Sequence, residues 1–354
     1  MPKSKNSFIG RNWKVIVNAI TLIALGILIY AIRHQIIATV DNLSRVDVWF
    51  LVLMVPLQVA NYHAQTRVYQ CLFALVGNRL HYMSVLRVTL ELNFVNHVFP
   101  SGGVSGISYF GLRMKSAEIT GGKATVIQFL KLLLLFMSFE LLLIAGLIFM
   151  AIGGRANNLV VLASGSLSTL LIIGTFAFVL ILGSEKRIHV AFTAVTIFLN
   201  RVLHFFFRHS PETIEMARIE RAALELHKNY KLVEQNYRDL TVPFFWSFVA
   251  NLTEVMTIYV VYMAFGKWVN LGAVILAYAV ANFAGAVSVL PGGIGIYEAL
   301  MTGVLAAAGI PAALSLPVTV MYRVISPIIQ LPPGYVLYHK SLRQLQSSNT
   351  ITGG

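Results

Sequence analysis

The sequence predicts an all-α polytopic membrane protein with about six full spans and two broken, re-entrant helices, arranged as an inverted repeat. Three observations carry that prediction. The 354-residue chain is 57% hydrophobic and 12% charged, with a mean hydropathy of +0.74. Soluble domains run near 45–50% apolar and about 25% charged. Several windows of roughly 20 residues are almost free of charge, which is the length a helix needs to cross a bilayer. Two further apolar stretches are interrupted at their centres by proline and glycine.

The full spans are expected at residues 15–31, 48–69, 124–152, 159–182, 242–265 and 314–338. The first follows a basic start, Lys3, Lys5, Arg11 and Lys14. It is long for the apolar region of a signal peptide, and "YAIRHQ" is a poor cleavage site, so it reads as an uncleaved span. The organisation is then a first membrane portion (1–182), a cytoplasmic helical hairpin or linker (183–240), the rest of the second repeat (241–340) and a flexible tail (341–354).

The broken stretches are 83–111 and 272–310. The first is interrupted by "FPSGGVSG" at 99–106 and the second by "LPGGIG" at 290–295. If each enters and leaves on one side, and the N-terminus is cytoplasmic, 21 of the 27 Lys and Arg fall on the cytoplasmic side. Arg33, Arg45, Arg155 and Lys267 fall outside, and Lys131 and Arg323 lie within spans. That distribution follows the positive-inside rule and places both termini in the cytoplasm. The net charge of +13 is explained by topology, so no nucleic-acid partner is expected. Each half now reads span, span, broken stretch, span, and the two halves start on opposite sides. Matched interruptions of this kind point to a transport site near the midplane. Ordinary kinked spans are the plainer alternative.

A helix broken inside a bilayer leaves N–H and C=O groups that lipid cannot satisfy, so the break must line a protein-filled or wet cavity. Proline suits a first helical turn, and glycine permits tight turns and close approach. Pro100, Ser101, Gly102 and Gly103, and Pro291, Gly292 and Gly293, are therefore expected to start half-helices whose N-termini attract an anion. Asn93, Asn96, His97, Ser101 and Ser105 supply polar lining at the first break. For His97, a packing role weighs as much as proton or ligand handling.

At this point the residues resemble a family. "FPSGGVSGISYFGLR", and "LPGGIGIYEAL" followed by "AAAGIPAALSLPVTVMYRVISP", are similar to the lysylphosphatidylglycerol synthase transmembrane, or flippase-like, domain family. The first motif departs from the pattern, with a serine inside its Pro-Gly-Gly and no acidic residue before Leu112-Arg113. The resemblance implies a multi-pass bacterial or archaeal membrane protein, in a bacterium of the inner membrane, that moves lipids or lipid-linked anionic headgroups between leaflets, as the translocating half without the fused aminoacyltransferase. It adds Arg113 to the headgroup-binding candidates and implies no cofactor. The partners it implies are membrane lipids with anionic or phosphate headgroups, and either a second copy of the chain or a separate synthase or transferase.

Charged side chains inside a membrane are costly and mark partners or cavities. Here they are Glu91, Glu140, Glu254, Glu298, Lys131 and Arg323. Glu298 lies just past the second break, and Arg323 follows Tyr322 in the last span; an ion pair, or joint binding of a headgroup, is expected of Glu298 and Arg323. Glu140 and Lys131 are nine residues apart, on opposite sides of a helix, so each needs its own partner. Lys131 is expected to snorkel towards the cytoplasmic headgroups. Glu254 shares a helical face with Asn251. Glu91, Glu140 and Glu254 are candidates for proton handling or ion pairing.

The linker carries nine basic and seven acidic residues. It has a helix start at "SPETIE" and a heptad stripe through Ile219, Leu226, Val233 and Leu240. There is no Walker A string and no HExxH, and Cys71 is the single cysteine, so neither direct ATP drive nor a zinc site is expected. An intramembrane enzyme acting on lipid phosphates, or a secondary transporter of a small anionic solute, are the other classes the residues allow. Polyprenyl-diphosphate phosphatases resemble this architecture, but their Ser-Arg-Ser string is missing here.

Overall fold

The structure, a computed structural model, describes residues 23, 26–27, 29–30, 32–99, 104–117, 119–152, 158–190, 193–194, 227–228, 230–231, 235–287 and 295–351. In chain order the helices are α1 (Arg33–Leu43), α2 (Val48–Val52), α3 (Met54–Leu75), α4 (Tyr82–Val98), α5 (Val104–Lys115), α6 (Gly121–Ile152) and α7 (Asn158–Leu182). A 3-10 turn at Tyr237–Leu240 leads into α8 (Thr241–Ala264), followed by α9 (Leu271–Val287), α10 (Ile296–Ala307) and α11 (Ala312–Ile351).

Four segments are long and apolar enough to cross a membrane: Gly121–Ile152, Gly165–Leu182, Arg238–Ala264 and Ala312–Leu342. They correspond to four of the six expected spans. Most of the expected first span, 15–31, lies outside the described residues. The second, 48–69, is helical as α2 and α3 but carries Gln58, Asn61, Gln65 and Arg67. Its polar side chains turn inward. Asn61 donates to the Ala250 carbonyl at 2.8 Å and to Thr253 at 3.0 Å, and this is how a polar helix is seated against α8.

Each interrupted stretch is a pair of helices folded back on one another. Glu91 of α4 and Arg113 of α5 form an ion pair at 2.8 Å, though 22 residues separate them. Along one continuous helix that separation would be about 33 Å. The α9 and α10 helices likewise pack against each other. Gly295, at φ +85°, precedes α10 in a conformation that side chains avoid. The described helices begin at Val104 and Ile296, a few residues beyond Pro100 and Pro291. Pro100, Ser101, Gly102, Gly103, Pro291, Gly292 and Gly293 themselves lie outside the described residues.

Two apolar cores hold the bundle. One surrounds the first hairpin, with Leu72 and Phe73 of α3, Phe94, Phe110, Ile127, Leu130 and Tyr338. The other surrounds the second hairpin, with Met54, Leu143, Val255, Tyr262, Leu276, Met301 and Met321. The long helices thread both. α3 runs from the second core to the first, α6 from the first to the second, α7 back again, α8 from the first to the second, and α11 from the second to the first.

The hairpins dock through glycines. A Cβ on Gly272 of α9 would lie 2.4 Å from the Gly146 carbonyl of α6, and one on Gly334 of α11 would lie 2.5 Å from the Leu90 carbonyl of α4. Small residues of this kind let helix backbones approach within a bilayer. The α11 helix is continuous through Pro317, Pro327, Pro332 and Pro333 and extends to Ile351. It therefore runs past the expected end of the span at 338 and through most of the stretch expected to be a flexible tail. The "SPETIE" start and most of the heptad stripe lie outside the described residues. Tyr230 is buried in the first core and Leu240 packs against it.

Candidate functional site

Between the two cores lies a layer of polar side chains, contributed by the helices that thread them. Gln58, Asn61 and Tyr62 come from α3, Ser138 from α6, and Asn251 and Glu254 from α8. Ser326 and Gln330 come from α11. In α3, α6 and α11 they sit near the point where membership passes from one core to the other, and in α8 they lie a turn or two beyond it. Buried polar groups in hydrocarbon cost several kcal/mol apiece when unpaired, so the layer persists because its members bond to one another. Asn251 donates to Ser138. Gln58 donates to Thr257 at 3.3 Å and Ser326 at 3.2 Å, and Gln330 donates to Gln58 at 2.5 Å. Asn93 of the first hairpin joins by donating to Tyr62 and, at 3.1 Å, to Gln330.

Two carboxylates, Glu254 in this layer and Glu298 on the second hairpin, are addressed by adjacent residues of α11. Arg323 pairs with Glu298, and Tyr322 donates to Glu254 at 2.8 Å. Neighbouring positions on a helix point about 100° apart, so a Tyr-Arg dipeptide can serve acids on two different helices. Glu298 sits in the first turn of α10 and is only 7% exposed. It also accepts from the Gly295 N–H at 2.7 Å and from Gln35 of α1 at 2.6 Å. The anion expected at this helix N-terminus is thus the protein's own carboxylate. The Arg323 guanidinium lies over the Tyr297 ring, 4.8 Å from its centroid.

Glu254 lies beside the amides of Gln58 and Gln330 and remains partly accessible. Asn96 and His97, at the end of α4, are exposed. His97 Nδ1 donates to the Asn93 carbonyl at 2.9 Å, and the ring lies within electrostatic reach of Arg323. Asn96 fills the space a side chain on Gly106 would need, with its Oδ1 only 2.0 Å from an ideal Cβ there. Ser105 donates to the Phe99 carbonyl at 3.2 Å, which closes the described edge of the first break.

The structure thus gathers Glu298, Arg323, Tyr322 and Glu254 into one region and directs His97 towards it. It does not bring Glu91, Arg113 or Glu140 there. Glu91 is fully buried in the first hairpin, where it accepts from Arg113, from Tyr109 at 2.9 Å and from Ser341 of α11. Glu140 accepts from Thr175 of α7 at 3.0 Å. The Lys131 ammonium donates to Tyr69 Oη at 3.1 Å and lies over that ring.

Several site residues escaped the sequence reading. Gln35 lies in a segment expected to be an external loop, and only the fold carries it to Glu298. The stripe Gln58, Asn61, Tyr62 and Gln65 was legible in principle, because polar residues at i, i+3, i+4 and i+7 on an apolar helix mark one face. Among the described residues no group of His, Cys, Asp or Glu could hold a metal ion.

These features define a multi-pass helical membrane protein whose two hairpins meet a bonded polar layer. Residues 16–334 match the lysylphosphatidylglycerol synthase TM region, and the chain belongs to that family. It is also similar to UPF0104 membrane proteins of archaea. One match from Methanothermobacter thermautotrophicus is 37% identical over 91 residues, covering 26% of this chain and 27% of that protein. A second match from the same organism is 28% identical over 127 residues, covering 35% and 37% respectively. One from Pyrococcus horikoshii is 27% identical over 125 residues, again covering 35% and 37%. The chain thus aligns with between a quarter and two-fifths of the length of these curated relatives.

Proposed function

We propose that the protein translocates lipid between leaflets, moving phospholipids or lipid-linked groups with anionic headgroups through the polar layer between its two hairpins. Its family is that of a lipid-synthase membrane region, which supports a lipid-related role. The observation that carries the reading is Arg323. This guanidinium sits deep in an apolar bundle, 14% exposed, where an intramembrane charge is retained only with a partner. Its present partner is Glu298. A phosphate offers guanidinium the same paired oxygens that a carboxylate does. Headgroup entry then exchanges one anion for another at Arg323, while Gln35 and the Gly295 N–H continue to hold Glu298.

In this reading the hairpins are re-entrant, dipping from opposite faces, and their alternate opening exposes Arg323 first to one leaflet and then to the other. The exposed Asn96 and His97 guide the headgroup from the side of the first hairpin. In this reading the membrane is a bacterial inner membrane or its archaeal counterpart, with both termini in the cytoplasm, which the positive-inside bias supports.

The test is leaflet exchange of fluorescent anionic and zwitterionic phospholipids in proteoliposomes, with the wild type beside Arg323→Ala and Glu298→Gln. Exchange by the wild type that Arg323→Ala abolishes is the expected result. Absence of exchange with every lipid, from folded protein, rejects the reading and turns attention to phosphate release from lipid phosphates and to uptake of small anions.

A further inference from the structure

Glu254 differs from Glu298 and Glu91, the two intramembrane acids with a cationic partner among the described residues. Glu298 has Arg323 and Glu91 has Arg113, but among the described residues no Lys, Arg or His pairs with Glu254. The hairpin tips outside the described residues, 100–103 and 288–294, contain no basic residue either. Its surroundings are neutral hydrogen-bonding groups: Tyr322 Oη on Oε2, with the amides of Gln58 and Gln330 alongside. Four tyrosines feel its charge, Tyr62 of α3, Tyr278 of α9, Tyr297 of α10 and Tyr322 itself, and Tyr297 also feels Arg323 and Glu298. A bare carboxylate among such neighbours, between two apolar cores, carries a desolvation cost that hydrogen bonds to neutral groups do not offset. Binding a proton would remove that cost.

Geometry supports a site that exchanges that proton. The residue as a whole is half-buried, whereas the Glu91 side chain is sealed. It is joined to the neighbouring headgroup site by a single step along α11, from Tyr322 to Arg323. The polar layer also links it to the accessible end of the first hairpin, through Gln58, Gln330 and Asn93 to His97.

We propose that Glu254 is a proton-binding site, protonated in the resting protein, whose release and rebinding of the proton on alternate sides couples headgroup movement to a proton gradient. In the release step the O–H bond at Oε1 breaks and the proton passes to water in the opened recess, while Tyr322 stays on Oε2. In the return step the carboxylate takes a proton from the opposite side. The coupling rests on the lipid-translocation reading; the proton site does not.

Two measurements separate them. The first is infrared spectroscopy of the full-length protein in an ester-free detergent, stepped from acidic to alkaline pH. The wild type should show a protonated-carboxyl C=O component at neutral pH that Glu254→Gln removes and Tyr322→Phe retains at a shifted frequency. Any component from Glu140 is identified by Glu140→Gln. No wild-type component missing from folded Glu254→Gln would overturn the site. So would loss of the component when Na+ replaces K+ at fixed pH, which would make the site one for a metal cation. The second is lipid exchange in proteoliposomes under an imposed pH gradient. One coupled proton biases the direction by up to about tenfold per pH unit. Whatever exchange Glu254→Gln retains should not respond to the gradient. Wild-type exchange equally indifferent to the gradient overturns the coupling and leaves the infrared result standing.

Discussion

The two ion pairs among the described residues look alike in sequence terms and stand in different surroundings. Glu91–Arg113 closes the first hairpin on itself. Its carboxylate is 0% exposed and is further held by Tyr109 and by Ser341 near the end of α11. Glu298–Arg323 instead joins the second hairpin to the last long helix, beside the partly accessible Glu254 and within reach of the exposed His97. A sealed pair fixes the return of a chain; a pair at the edge of a polar layer has somewhere to go. Burial and neighbours, not charge, tell them apart.

Arg113→Met should give the largest change in stability. It leaves Glu91 buried without a cation, a loss of about 3–5 kcal/mol for a broken buried pair, read as a lowered melting temperature in detergent. Adding Glu91→Gln should recover part of it, because the uncompensated charge is then gone. Arg323→Gln should show the reverse emphasis. Gln35 and the Gly295 N–H still hold Glu298, so the stability loss should be smaller, about 1–3 kcal/mol, while lipid exchange falls tenfold or more. If Arg113→Met depresses exchange as strongly as Arg323→Gln at matched amounts of folded protein, the contrast between the pairs fails.

The glycine contacts sharpen the comparison between hairpins. Gly334→Ala presses α11 into Leu90 and Phe94 of the first hairpin, and Gly272→Ala presses α9 into Gly146 of α6. Each should cost about 1–3 kcal/mol of overpacking, measurable by thermal unfolding. The smallest effect is expected from Lys131→Met, which gives up one bond to Tyr69 and a ring contact, within about 1 kcal/mol, with lipid exchange intact.

Much of this was legible beforehand because hydrocarbon is an exacting solvent. Apolar length gives spans, and proline with glycine marks where a helix must stop. An acid or base within a span announces a partner, as Glu298 and Arg323 do. The identity of partners was less accessible. Lys131 and Glu140 were placed on opposite sides of their helix by spacing, but Tyr69 and Thr175 come from α3 and α7 and carry no sign of the contact in their own sequence. Gln35 lies 263 residues from Glu298, and no local pattern encodes a bond of that range.

The sequence by itself determined the class of protein, the positions of the interruptions and the set of intramembrane charges, because each follows from the cost of placing local chemistry in lipid. Only the tertiary structure decided which charges are sealed and which border a polar layer. It showed that each interrupted stretch folds back on itself and that polar residues of α3, α6, α8 and α11 bond to one another. It also showed that Glu254, unlike its neighbours, has no cation among the described residues. Those are properties of distances between segments far apart in the chain, and packing alone sets them.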